Sequence, residues 1–400
     1  MPSPDGMSES EGSDSEASFT IVSGRNQYVA FQLRFSSAEP FMILTDNANW
    51  LAAEGHCRRA RLQMDLGALP HGFHIEPLLV GSVKDEEDVL QLEYLDRKRF
   101  SSDIRRRHVV YLRIFIPTDM PAENVDISLR AYVQEACFSA EKLAWTGRVH
   151  LQVSELQLAS PREWGFHLDL WQHYSSIARI HRTALWSDEH FELITKYLDS
   201  LSQLGQKAVT VVATEMPWAG QQCFREQAYP SALFEHAIVS VSYDRERGLE
   251  LDFDALERLL LIAAERGMDQ EIEVFGLLSV WTDNDFGPLI SGAPEAWRVR
   301  YFDRNSECFA YIESEELMES FIQSFYQFFV RSGLVHRVRV CADEPSDVSR
   351  FRRQLEFLGR LAPEFRLKIA INSSEFLDFA DGSENPSARK EIRHDPCSWI

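Results

Sequence analysis

At Pro161 the hydrophobic rhythm of this chain changes, and the change divides what each half can fold into. Before it come short apolar runs rich in β-branched and aromatic residues: SFTIV, QYVAFQLRF, FMILT, GFHIEPLLV, VVYLRIFIP, VDISLRAYV and GRVHLQVSELQL. Clusters of Pro, Asn, Asp and Gly separate them, and the alternation within them predicts an all-β sandwich over residues 18–160. The basic triplet Arg105–Arg106–Arg107 reads as a solvated polar loop beside Asp103. After Pro161 the order becomes strand, loop, helix, repeated. The predicted strands are Phe166–Trp171, Ala208–Thr214, Glu271–Trp281, His336–Glu344 and Arg366–Asn372, most of them nearly continuous apolar runs, as parallel strands covered on both faces require. Helices are predicted from an N-cap at Ser187 to about Leu204, over Asp252–Arg266, Glu315–Arg331 and Asp347–Leu361.

Strands alternating with helices of this length build a parallel sheet, either open and doubly wound or closed as a barrel. An open nucleotide-binding sheet calls for a glycine-rich first βα turn, but the loop after the first predicted strand, WQHYSSIARIHRTALW, has no glycine. A TIM-type (β/α)8 barrel over 161–376 is therefore the expectation. The strand count sets a condition on it. Five βα units are visible and residues 377–400 look polar and patternless, so the barrel is expected to be incomplete, with an open edge that invites self-association. Residues 1–17 carry five acids and no Lys or Arg, the composition of a disordered tail.

The 400 residues hold 41 basic and 62 acidic side chains, a net −21 that argues against nucleic acid as a partner. No apolar stretch reaches the ~20 residues of a membrane span, and the N-terminus lacks the basic and apolar regions of a secretory signal, so a cytoplasmic location is expected. The six cysteines form no C-x-x-C pair, which leaves no encoded zinc ribbon or redox dithiol. No cofactor is expected. His167, Asp169, His173 and His181 lack metal-binding spacing, so no metal site is expected either.

In βα barrels chemistry collects at the C-terminal ends of the strands. Those ends read DLWQH with Asp169 and Trp171, TEMPW with Glu215 and Trp218, SVWTD with Trp281, and CADEP with Asp343 and Glu344. Three of nine tryptophans recur at equivalent positions, and the flat apolar face of an indole suits the C–H face of a sugar. Each could also pack under its own loop. Asp343 and Glu344 stand at the mouth of an apolar strand, where two neighbouring carboxylates lose their protons in coupled steps, one of them late. That is the requirement for a group acting as an acid at neutral pH. The alternative is that Arg337 or Arg339 neutralises the pair. Cys341 shares the strand face of Asp343 and reads as a packed thiol.

The runs FHLDLWQH (166–173), LWSDEHF (185–191), GQK before the second strand, PW after it, RYFD (300–303) and ADEP (342–345) resemble glycoside hydrolase family 123. The resemblance covers about 160–376 in order, and YVAFQLRF (28–35) is similar to the family's first core strand. It implies a β-sandwich followed by a (β/α)8 barrel and action on terminal β-linked 2-acetamido sugars, as a β-N-acetylgalactosaminidase, by a substrate-assisted retaining route. It further implies that Glu344 protonates the leaving oxygen and then activates water, while Asp343 holds the acetamido N–H as the acetamido oxygen attacks the anomeric carbon. The substrate then supplies the nucleophile, and the carboxylate spacing of ordinary glycosidases does not apply. Asp169, Trp171, Trp218 and Trp281 are expected to line the sugar pocket. A non-catalytic carbohydrate-binding or vestigial protein on the same fold is the alternative.

Overall fold

The computed structural model describes residues 17–45, 58–65, 72–84, 90–97, 104–136, 139–215, 235–278, 298–343, 345, 347–371 and 373–380. The chain divides into two compact units, Met1–Ser160 and Pro161–Ile400. In the first, eight strands follow one another: β1 (Ala17–Arg25), β2 (Gln27–Leu44), β3 (Arg59–Asp65), β4 (His74–Lys84), β5 (Leu90–Asp96), β6 (Arg105–Ile116), β7 (Asn124–Gln134) and β8 (Lys142–Gln157). They form one sheet in the order β1-β8-β7-β3-β2-β6-β4-β5. The long β2 joins its halves: Gln27–Ser36 pairs with β6, the register shifts before Phe41, and Met42–Leu44 pairs with β3.

Alternation does the sorting. Along β6 Val110, Leu112, Ile114 and Ile116 are fully buried while the residues between them are not. These side chains meet Leu62, Ile127, Leu129 and Leu151 from the other half in a single core, so the sheet folds over itself as two layers. The basic triplet is not a loop. Arg105–Arg107 open β6, Arg107 opposite Ser36 and Arg105 donating to Ser82 Oγ at 2.6 Å. Strand pairing absorbs the three charges because Arg106 and Arg107 are exposed and Arg105 is partly so.

The second unit contains α1 (Tyr174–His181), α2 (Asp188–Gln203), β9 (Ala208–Val212), β10 (Ser240–Asp244), β11 (Gly248–Asp252), α3 (Asp254–Glu265), β12 (Glu271–Phe275), β13 (Arg300–Asp303), β14 (Cys308–Tyr311), α4 (Glu315–Arg331), β15 (Val338–Asp343), α5 (Val348–Leu361), β16 (Arg366–Ala370) and α6 (Leu377–Ala380). The helices start where their caps require. Ser187 Oγ accepts from His190 N–H at 3.2 Å, Ser314 Oγ from Leu317 N–H at 3.2 Å, and the Asp347 carboxylate from Arg350 N–H at 2.8 Å.

The four parallel strands lie in the order β16-β15-β12-β9, so each βα unit steps to the adjacent position in the same direction. A doubly wound sheet reverses that direction at a switch point. A second sheet, β11-β10-β13-β14, was not legible in the sequence. The predicted first strand also differs: 166–171 makes only one bridge, Leu168 to Gln206, parallel to the approach of β9. Side chains replace the ladder there. Leu170 N–H donates to Gln206 Oε1 at 2.9 Å, Gln172 N–H donates to Thr210 Oγ1 at 3.1 Å, and Thr210 N–H donates to Gln172 Oε1 at 2.7 Å. The stretch after 376, expected to be irregular, opens with α6, whose Phe379 packs edge-on against Phe351 at 5.1 Å. Among the described residues no helix is long and apolar enough to cross a membrane.

Candidate active site

The period of two gives the parallel sheet two chemically distinct faces. Val209, Val211, Ile272, Val274, Val338, Val340 and Ala342 point into the large core built with the helices. The opposite face carries Val212, Phe275 and Cys341 in a small cluster with Trp171, and below it a set of charges. Trp171 meets Phe275 edge-on, with ring centroids 5.1 Å apart. Asp343 is the last residue of β15, buried, two positions beyond Cys341 on that inner face. Burial pushes the Cys341 thiol well above its ordinary value and keeps it protonated.

Glu344, Trp218 and Trp281 lie outside the described residues. Arg337 and Arg339, the cations considered for the acid pair, are engaged lower on the sheet. Arg337 pairs with Asp269 at 2.6 Å, and Arg339 stands 3.8 Å from Glu271. The four residues considered for a metal do not converge. His167 approaches Glu271 at 3.6 Å, Asp169 pairs with Lys368 at 2.5 Å, His173 approaches Glu235 at 3.6 Å, and His181 bonds Tyr197 at 3.1 Å.

The charges under the aromatic cluster form a closed network that the sequence reading missed. The Lys368 ammonium is shared by Asp169, by Glu271 at 3.2 Å, and by Glu273. Glu273 is fully buried in mid-strand, and burial pushes its carboxyl up to about 8, with the Asp169 charge acting in the same direction and Lys368 pulling the other way. With both groups ionised, buried Glu273 Oε2 and Asp169 Oδ1 each lack a hydrogen-bond partner. One proton on Glu273, donated to Asp169, satisfies both oxygens. It also balances the charges: Asp169 and Glu271 against Lys368 and Arg339. His167, Glu271 and Glu273 bring ligand atoms within 4.8 Å of one another, as a cation site would, but the Lys368 ammonium already stands among these carboxylates.

A second polar network lies just past the C-terminal end of β9. Glu215, buried, takes a hydrogen bond from Tyr311 Oη at 2.7 Å, an ion pair from Arg300 Nε at 2.9 Å and a contact from His236 Nδ1 at 3.3 Å. Burial alone would raise its pKa; the His236 and Tyr311 hydrogen bonds and the Arg300 charge outweigh that and hold it below the ordinary carboxylate value. Burial and the same carboxylate drive Tyr311 up to about 12. The network continues from His236, whose backbone N–H donates to Ser175 Oγ at 2.9 Å, and Ser175 backbone N–H donates to the buried Glu235 carboxylate at 2.9 Å. Glu215 stood out in the sequence only as part of TEMPW. Its partners lie 21, 85 and 96 positions away, and no local pattern joins them.

A sequence model of the glycoside hydrolase 123 catalytic domain matches residues 171–394, more than half of the chain. Among solved structures, a family 123 glycoside hydrolase from Clostridium perfringens, described in terms of glycolipid glycan hydrolysis, superposes with a TM-score of 0.61 at 14% identity. The match covers 90% of this chain and 61% of that one, so this chain spans under two thirds of that protein's length. A tip adhesin from Pseudomonas aeruginosa (TM-score 0.18, 12% identity, 35% of this chain and 42% of that one) and a cell-surface chitinase from Paenibacillus sp. (0.20, 10%, 84% and 37%) superpose too poorly to bear on the fold. No curated protein matches significantly. A mostly-β unit followed by an α/β unit with a parallel sheet is the arrangement of that clostridial enzyme, and by its catalytic domain the chain belongs to glycoside hydrolase family 123.

Proposed function

We propose that this glycoside hydrolase acts on terminal β-linked 2-acetamido sugars of the N-acetylgalactosamine type, by a substrate-assisted retaining mechanism in a barrel-type site. The observation that carries this reading is the position of Asp343. It is buried at the C-terminal end of a parallel strand, on the face that also bears Trp171, within the stretch matched by the family. A singly wound sheet, with neighbours in chain order, is the geometry from which a (β/α)8 barrel is made.

In the proposed cycle Glu344 gives its proton to the glycosidic oxygen as the bond to the anomeric carbon breaks. The acetamido oxygen attacks that carbon and forms a cyclic oxazolinium. Asp343 accepts the acetamido N–H hydrogen bond and offsets the positive charge that builds on the ring. Glu344, now a carboxylate, takes a proton from water as the water opens the ring, and the configuration is retained. Trp171, Trp218 and Trp281 wall the sugar, and Asp169 supports the floor through Lys368, two residues before Trp171.

Hydrolysis of an aryl β-N-acetylgalactosaminide is the direct test. Replacing Glu344 by Gln is expected to lower kcat/KM by about 10²–10⁴-fold, the usual contribution of general acid–base catalysis. An undiminished rate in that variant overturns the assignment. Quenching of tryptophan fluorescence by N-acetylgalactosamine in a wild-type chain that turns nothing over would instead identify a carbohydrate-binding protein on this fold.

A further inference from the structure

Glu215 ties together three separated pieces of chain. Its carboxylate holds Arg300 on β13, Tyr311 on β14 and His236 just ahead of β10, while its own backbone N–H donates to the Arg298 carbonyl at 2.9 Å. It does so directly after β9, where Ala213 N–H donates to the Phe275 carbonyl and Ile238 N–H to the Val212 carbonyl, so strand end, hairpin and returning segment are pinned within a few residues. Only 6% of Glu215 reaches solvent. A carboxylate so buried is costly to desolvate and gains little stability over well-packed apolar residues of the same size. What it does supply is direction, because each of its partners must present a donor at a fixed angle.

The partners are less enclosed than the hub. His236 keeps 32% and Arg300 42% of its side-chain surface, and Tyr311 is half-buried. Hydrogen-bonding groups fixed on one side and open on the other are what a sugar's hydroxyls require. Glu215 follows the C-terminal end of β9, and Asp343 ends β15 two strands away at the same end of the parallel sheet.

We propose that Glu215 is a positioning residue of the sugar site: it orients Tyr311, His236 and Arg300 as the polar wall that grips substrate hydroxyls. This rests on the glycosidase reading given above. Acting on binding groups and not on the breaking bond, it contributes to substrate affinity more than to the chemical step.

The test compares the full-length chain with its Glu215→Gln, Tyr311→Phe and double variants. Two measurements are made on each: steady-state kinetics on the aryl β-N-acetylgalactosaminide, and hydrogen exchange of peptides spanning 235–240 and 298–303. Glu215→Gln is expected to speed exchange in both peptides and to raise KM about tenfold while kcat changes less than about threefold. The double variant should raise KM by less than the product of the two single effects, because Glu215 acts through the orientation of Tyr311; fully multiplicative effects overturn the positioning role. A fall in kcat at unchanged KM puts Glu215 in the chemistry and overturns the positioning role, as do unchanged kinetics. Unchanged exchange overturns the clasp itself. Should Glu215→Gln fail to fold, Glu215→Asp, which keeps the charge but shortens its reach to Tyr311, Arg300 and His236, decides by the same criteria. A wild-type chain without turnover overturns the glycosidase reading and the wall's role with it, and exchange then decides the clasp alone.

Discussion

Two buried glutamates of this protein respond to pH in opposite senses. Glu273, among Asp169, Glu271, Lys368, Arg339, His167 and Cys341, keeps its proton up to about 8, above the ordinary 4.5. The folded state therefore binds more protons than the unfolded chain between those values. Stability from this group is complete below 4.5 and is lost as pH rises toward 8. Glu215 has the reverse sign: its folded value is depressed, so its contribution is present above 4.5 and is lost as pH falls below. Glu273→Gln, whose amide donates to Asp169 and accepts from Lys368 as the protonated acid does, is expected to flatten the loss of stability between pH 5 and 8. Urea midpoints across that range measure it, and an unchanged slope would count against a proton on Glu273. Glu273→Ala, which abandons Lys368 and leaves a cavity, should cost about 3–5 kcal/mol at any pH in that range.

At the scale of elements, the short β12 shows how backbone geometry limits a strand. The apolar run after Glu271 continues through Leu277 and Leu278, yet the strand stops at Phe275 because Gly276 takes a φ of 94°. A Cβ there would stand 2.5 Å from Thr214 Oγ1, the hydroxyl that donates to the Gly276 carbonyl at 2.8 Å. Gly276→Ala is expected to destabilise the second unit by about 1–3 kcal/mol, read as a lowered melting temperature. The four predicted helices were legible to within a residue or two because caps such as Ser187 and Asp347 act locally, whereas α1, which has no side-chain cap, lies in the stretch read as a loop. The apolar parallel strands were legible for the same reason, as runs. What escaped the sequence was non-local or ambiguous in pattern. Residues 166–171 have strand composition but bond to β9 through Gln206 and Thr210 side chains, β10 and β13 meet across some 60 positions, and Arg105–Arg107 look like a loop until Ser36 and Phe41 pair with them. For the site, the position of Asp343 could be read from the run before it. The Lys368 and Glu215 networks could not, because each joins groups that lie far apart in the chain.

At the scale of the whole molecule, the two large hydrophobic cores among the described residues share no residue, one inside the folded sheet and one between the parallel sheet and its helices. Heating is expected to resolve two transitions by calorimetry, with Gly276→Ala shifting one and leaving the other within about 1 °C. A single transition moved as a whole by that substitution would show the units to be coupled. The parallel pairing of β1 with β8, described above as sheet order, also sets a timetable. Ala17 lies opposite Gly147, and the partners are about 130 residues apart. A ribosome adding about 5–20 residues per second needs roughly ten seconds to deliver the second after the first, so β1 emerges long before it has anything to pair with. Until then its edge is open to other nascent chains. Conditions that slow translation through 26–141 should therefore raise the insoluble fraction, even though nothing in the finished fold is altered.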